Sequence, residues 1–234
     1  MNYLLKASKI AIDYRIQTGH TNPVWIMKQV ANVHYGCGLC APDNWLNFDA
    51  SLTLRFERLP FVGRLYKKNL QCFPVNVRYG DIVKGLPINA GSCDAVYCSH
   101  ILDYLTYEDC KRALRNTKQI LRPGGTFRLV VQDCSLFIKQ YLADGTTDAS
   151  IKFMDQTGWG RRTRPRRLID FAIDHFGHSH RLWMWDFKAL YMELAQAGFH
   201  SIRRAEFGDS ENPAFSNVED IGRWKYSVAI DCKA

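Results

Sequence analysis

A chain of 234 residues, 47% hydrophobic and 13% aromatic, holds enough apolar material for one sizeable α/β domain with a buried core. Its 31 Lys and Arg against 23 Asp and Glu leave a formal charge of +8, a field that favours anionic partners without dictating a fold. No apolar run approaches the length needed to cross a bilayer, and the stretch around Leu4, Leu5 and Ile10 is short and broken by Lys6 and Lys9. The expectation is a cytoplasmic protein with neither membrane span nor secretory signal.

In chain order, Leu4, Leu5, Ala7, Ile10, Ala11 and Tyr14 recur at near-helical spacing, so residues 1–28 are expected to form a helical arm, with Gly19 and Pro23 as its breakers. Beyond it, short β-like runs alternate with helical patterns, the sequence form of a parallel sheet with helices on its faces. The runs predict strands over 31–35, 45–49, 73–77, 93–98, 126–131, 202–207 and 226–231. Only residues 39–44 separate the glycine turn after the first strand from the second strand, too few for a helical crossover, so the first helix is expected to be short or missing. Thr106 can cap a helix whose first turn holds Glu108 and Asp109, and Arg122-Pro123-Gly124-Gly125 stops it and turns the chain into the next strand. Asp186 and Gly198 bracket a second helix over 187–197 in the same way. No internal repeat is visible.

The first strand leads into Gly36-Cys37-Gly38, and a glycine turn directly after a parallel strand lets backbone approach a ligand that any Cβ would obstruct. By itself Gly-x-Gly is also an ordinary tight turn. Asp49 closes the second strand, where a carboxylate can accept both hydroxyls of a ribose. Asp81 follows the third strand; it is either a turn residue or, with the neighbouring amide, a reader of an adenine edge. Three strand ends thus converge on one crevice, the place where open parallel sheets bind ligands.

Cys37-Gly38-Leu39-Cys40 has the spacing of a redox pair or half a zinc site, but no second Cys or His pair completes it, and no metal is expected. Eight cysteines in a chain of this size read as free, mostly buried thiols.

Gly36-Cys37-Gly38, Trp45-Leu46-Asn47-Phe48-Asp49, Gly80-Asp81-Ile82 with Leu86-Pro87, 93–102 ending in Ser99-His100-Ile101-Leu102, and Leu121-Arg122-Pro123-Gly124-Gly125 keep one order and spacing over about residues 30–133. In this the chain resembles the type-11 family of class I S-adenosylmethionine-dependent methyltransferases. His180-Arg181, Asp186 and Ala197-Gly198-Phe199 are similar to the last helix and strand of bacterial members. The resemblance implies a single Rossmann-like, doubly wound domain around a seven-stranded sheet, mostly parallel with an antiparallel last strand, and S-adenosyl-L-methionine as cofactor. It implies cofactor contacts at Tyr35, Gly36, Cys37, Gly38, Asp49, Ala50, Asp81, Ile82 and Ser99. The chain departs from the family where an acid and a third glycine often stand, having His34 or Tyr35 and Cys40. It also has Leu102-Asp103-Tyr104 where many members have Leu-Glu-His.

Methyl transfer from a sulfonium is an in-line displacement that positioning can largely drive, but a hydroxyl acceptor still wants a base. His100, Asp133 and His180, with Arg181 to orient the acceptor, are the candidates, and His175 and His178 are further imidazoles in the region. Each has a structural alternative: a backbone-bonded histidine at a strand end for His100, a helix cap for Asp133, a hydrogen-bonded buckle for His180-Arg181. Residues 52–70, with Arg55, Arg58, Arg64, Lys67 and Lys68, and residues 134–185, with five arginines in 161–167 near Trp159, Phe171, Phe176, Trp183 and Trp185, are expected to be insertions on the substrate side. The arginines suit a lid over an anionic or sugar-bearing acceptor, a solvated face, or phosphate contact along RNA. The expected activity is methylation of a small-molecule or glycan-like acceptor, at oxygen. The alternatives are an RNA methyltransferase and a catalytically silent cofactor-binding protein.

Overall fold

The computed structural model describes residues 32–59, 72–160, 162–163 and 180–234. The expected arm at 1–28 lies outside them, as do residues 60–70 of the first expected insertion and residue 161 with 164–179 of the second. Seven strands form one sheet in the order β3-β2-β1-β4-β5-β7-β6. They are β1 (Asn32–Tyr35), β2 (Leu46–Asp49), β3 (Val77–Tyr79), β4 (Cys93–Ser99), β5 (Leu121–Gln132), β6 (His200–Arg204) and β7 (Ser227–Lys233). All neighbouring pairs from β3 to β5 are parallel, and β7 runs antiparallel to both β5 and β6. This is the Rossmann-like, mostly parallel seven-stranded sheet with an antiparallel last strand that the resemblance led us to expect.

The helices are α1 (Leu52–Glu57), α2 (Tyr107–Ile120), α3 (Cys134–Ala143), α4 (Ala149–Thr157) and α5 (Phe187–Gln196). In α2, Thr106 accepts the Asp109 amide as cap, and Cys110, Ala113, Leu114, Thr117 and Ile120 fall on one buried stripe. Asp186 caps α5 through the Ala189 amide, and Gly198 ends it in the left-handed conformation at φ 91°. Both helices cover the sheet face carried by Val33, Tyr35, Phe48, Val96, Cys98, Phe127 and Leu129, the larger part of the core.

The opposite face lacks the helix that a β1-to-β2 crossover usually supplies, and residues 36–45 make the parallel connection as turns. The segment between β6 and β7 covers this face instead. Its 3-10 turn Pro213–Asn217 places Phe215 and Val218 against Trp45, Ala95, Tyr97, Val130 and Ala229. A fully buried arginine on β5 anchors it: Arg128 bonds the carboxylates of Glu219, Asp209 (2.9 Å) and Asp231 (3.2 Å) and the Glu206 carbonyl (2.6 Å).

Three strand boundaries differ from expectation. The third strand starts at Val77 rather than at 73, because Pro74 lacks an amide for the ladder and its carbonyl closes a turn with the Val77 amide at 3.1 Å. Leu121 already pairs with Cys93 and Thr126 with Ala95, so residues 122–125 bulge out of β5 as the expected turn without ending it. The sixth strand stops at Arg204, and residues 205–207 turn away so that the Glu206 carbonyl meets Arg128.

Candidate active site

The carboxyl ends of β1, β2 and β4 open into a cavity of about 220 Å³ lined by Tyr35, Gly36, Asp49, Ala50, Ser51, Gly80, Asp81, Ile82, His100, Ile101, Tyr104 and Leu105. Six of the nine expected cofactor contacts therefore stand on one wall: Tyr35, Gly36, Asp49, Ala50, Asp81 and Ile82. Asp49 is 8% exposed. One of its carboxylate oxygens accepts the Gly38 amide at 3.0 Å and the other the Ser51 amide at 2.8 Å. Each oxygen keeps a second lone pair, so the side chain fastens the glycine loop and can still accept a pair of hydroxyls.

Gly36 and Gly38 both have positive φ, 66° and 54°. Their surroundings differ. A Cβ on Gly36 would sit 2.1 Å from Ile101 Cγ1 and Cδ1, so the packing of Ile101 as well as the positive φ demands glycine there. A Cβ on Gly38 would meet only Arg223 Nη2, at 3.9 Å. Gly80 is hemmed in by Phe48 and Leu86, which draws Asp81 back over the end of the sheet. Asp81 accepts the Val83 amide at 3.0 Å, as the turn reading expects, and still lines the cavity.

The remaining three expected contacts do not line it. Gly38 contributes its amide to Asp49. Cys37 points into a small apolar cluster with Leu54 and Val77, where burial pushes its thiol well above the ordinary range. Ser99 is buried, and its hydroxyl has no hydrogen-bond partner among the described residues.

A second cavity adjoins the first and shares His100 with it; its other lining residues are Gln132, Phe137, Gln156, Arg181, Gly222, Arg223, Lys225, Tyr226 and Ser227. His100 sits at φ 52° directly after β4, and its Nε2 lies 2.8 Å from the Arg223 carbonyl. A carbonyl can only accept, so Nε2 carries the proton. Nδ1 is buried, 4.0 Å from Asp103 Oδ2. That same Asp103 oxygen accepts Arg181 Nε at 2.8 Å. Arg181 also lies over the Tyr104 ring at 5.3 Å and reaches the Thr157 carbonyl at 3.2 Å. The Asp103 carbonyl accepts the amides of Leu182 and Trp183, so the 180–186 segment is strapped onto the 3-10 turn Leu102–Tyr104.

Asp133 caps α3, accepting the Ser135 amide at 2.9 Å and its hydroxyl at 2.7 Å; it is buried and lines neither cavity. His180 is half-buried beside Arg181. Trp185 belongs to the core rather than to a lid, with its indole N–H bonded to the Leu102 carbonyl at 3.1 Å. Trp183 is partly exposed on Tyr107. In the first insertion Arg55 stacks over Tyr79 and Arg58 bonds the Pro74 carbonyl at 2.7 Å, so both brace the β3 edge instead of facing the cavity. His175, His178, Phe171 and Phe176 lie outside the described residues, as do Arg64, Lys67, Lys68 and four of the five clustered arginines; the fifth, Arg162, pairs with Asp155 on α4.

Residues 33–129 match the family model described as a methyltransferase domain. This stretch, 97 of the 234 residues, is similar to that methyltransferase domain. No curated protein matches the sequence. Among solved structures, a SAM-dependent methyltransferase from Methanosarcina mazei aligns at a TM-score of 0.48 with 14% identity, covering 87% of this chain and 91% of that one. The complex of the Haloferax volcanii Trm112 methyltransferase activator with a methyltransferase aligns at 0.45 with 16% identity, covering 87% and 82%. A SAM-dependent methyltransferase from Archaeoglobus fulgidus aligns at 0.44 with 15% identity, covering 87% and 86%.

The first cavity fits the cofactor of such a methyltransferase on its own chemistry. A carboxylate with free lone pairs stands at the end of β2, an apolar slot is made by Ile82, Ile101 and Leu105, and a polar residue, Asp81, closes the far end. Some site residues escape a reading of the sequence. Asp103 has a weak signal there, an acid three residues after His100. Arg223 has none, since it comes from the far end of the chain.

Proposed function

We propose that the protein methylates a small-molecule or glycan-like acceptor at oxygen, in the cytosol, with the acceptor entering through the second cavity and favoured when it carries an anionic group. One observation carries the reading: this cavity shares His100 with the first and is lined by Lys225, beside Arg181 and Arg223, with no carboxylate among its described lining residues. Cations around a partly enclosed space hold a carboxylate or phosphate strongly and in a defined orientation.

When bound, S-adenosylmethionine supplies an electrophilic methyl whose bonding electron pair stays with the departing sulfur. The residues of the chain bind, orient and exclude water. Asp49 takes the ribose hydroxyls, Asp81 with the Ile82 amide faces the adenine edge, and Ile101 and Leu105 keep the slot apolar. His100 ties the Arg223 carbonyl to the end of β4, with Nε2 spent on that bond and Nδ1 on the side of Asp103. In this reading it is a positioning residue. Asp133 is engaged as a cap and Arg181 by Asp103; His180, which is not among the lining residues of either cavity, is the remaining candidate for the base that receives the acceptor's proton.

The test is a labelled-methyl assay on three acceptor panels: carboxylated or phosphorylated small molecules, glycans, and RNA. Small or glycan acceptors should be labelled. Lys225→Ala should raise their KM about 10-fold, the loss of one charge-assisted contact, with cofactor affinity unchanged. Labelling confined to RNA would overturn the acceptor class.

A further inference from the structure

The 3-10 turn Ile221–Arg223 belongs to the segment between β6 and β7 that replaces the missing first helix. It brings Arg223 to the glycine loop. The backbone of Arg223 is fixed from two sides, its carbonyl accepting His100 Nε2 at 2.8 Å and the Ser227 hydroxyl at 3.0 Å. The side chain is half-buried and makes no ion pair or hydrogen bond with the described residues. The nearby Asp220 uses its carboxylate to cap its own turn through the Gly222 amide at 2.9 Å.

We propose that Arg223 receives the α-carboxylate of the cofactor's methionyl group, a role that rests on the reading of the first cavity as the cofactor site. Three features support it. Its Nη2 stands 3.9 Å from where a Cβ of Gly38 would be, on the open side of the loop. Arg223 lines the second cavity, and its carbonyl is bonded to His100, the residue that this cavity shares with the first. The loop has no helix behind it, so no helix amino terminus is present to neutralise a carboxylate there, and a cation from elsewhere takes its place. The charge is felt at the loop: burial raises the Cys40 thiol and Arg223 works against it.

Calorimetry with S-adenosylhomocysteine and with 5′-methylthioadenosine, which shares the adenosine and lacks the amino-carboxylate end, tests this without turnover. Arg223→Gln should weaken S-adenosylhomocysteine about 10- to 100-fold, as expected for a charge-assisted pair, and leave 5′-methylthioadenosine within about 2-fold. Arg223→Lys, which keeps the charge and cannot leave an uncharged gap, should lose less than about 10-fold. Asp49→Asn should weaken both ligands alike. If Arg223→Gln weakens both ligands equally, or neither, the proposal is overturned while the cavity assignment stands. If Asp49→Asn leaves both ligands unaffected, the cavity assignment fails, and the Arg223 proposal with it.

Discussion

His34 is a residue whose burial makes a measurable claim. It stands on β1 between Tyr97 and Trp45, 2% exposed, and neither ring nitrogen makes a hydrogen bond of good geometry, although the Cys40 backbone approaches the ring. Burial, with Arg223 adding to it, pushes its pKa down from 6.5 to about 3. The folded state therefore holds the neutral ring, while the unfolded chain takes up a proton below 6.5. This site's stabilisation is complete above pH 6.5 and falls as pH drops from 6.5 towards 3, by up to about 1.4 kcal/mol per pH unit. Urea denaturation from pH 7.5 to 4.5 should show that slope, and His34→Leu should flatten it. The two loop glycines give a second contrast. Gly38→Ala should cost about 1 kcal/mol, the conformational penalty alone. Gly36→Ala should cost about 2–4 kcal/mol because Ile101 must also move, and Ile101→Ala in the same background should recover part of that in thermal melts. Asp49→Ala should lower S-adenosylhomocysteine affinity about 100-fold by calorimetry, from the loss of two charge-assisted hydrogen bonds.

The segment between β6 and β7 is the element on which the site depends most, and Arg128 is what holds it. At Asp209, burial pushes the carboxyl up, but bonds from Arg203, the Glu206 backbone and Arg128 outweigh it and hold the group at about 2 against an ordinary 3.8. Its contribution is present above pH 3.8 and is lost as pH falls through 2. Amide exchange of residues 205–224 should therefore accelerate over that window before the α2 and α5 amides do. Arg128→Met, which takes the buried cation away from Glu219 and Asp231, should destabilise the protein by about 3–5 kcal/mol in denaturant titrations. The helical elements were legible in advance because their signals are local: Thr106 and Asp186 are caps within three residues of the amides they serve, and Gly198 marks its own turn. The third strand was not, because Pro74 sits inside an apolar run that otherwise reads as strand.

For the whole molecule, cofactor binding to the native state alone should raise stability by about 2.7 kcal/mol at a concentration 100 times Kd, or roughly 5 to 10 °C in Tm for a chain of this size. A thermal shift with S-adenosylhomocysteine checks it, and its absence would separate a folded chain from a cofactor-binding one. The residues from β1 to β5 determined the order of the strands, the short β1-to-β2 connection and the convergence of Gly36, Asp49 and Asp81 by themselves, since each follows from a periodicity or a turn signal within a few positions. The tertiary structure alone decided that His100 Nε2 bonds the Arg223 carbonyl, that Arg181 is held by Asp103, and that Arg223 reaches Gly38 from the far end of the chain. The Arg181 and Arg223 contacts join residues far apart in the chain, and Arg223 is brought to His100 by the segment that leads into β7, antiparallel to β5.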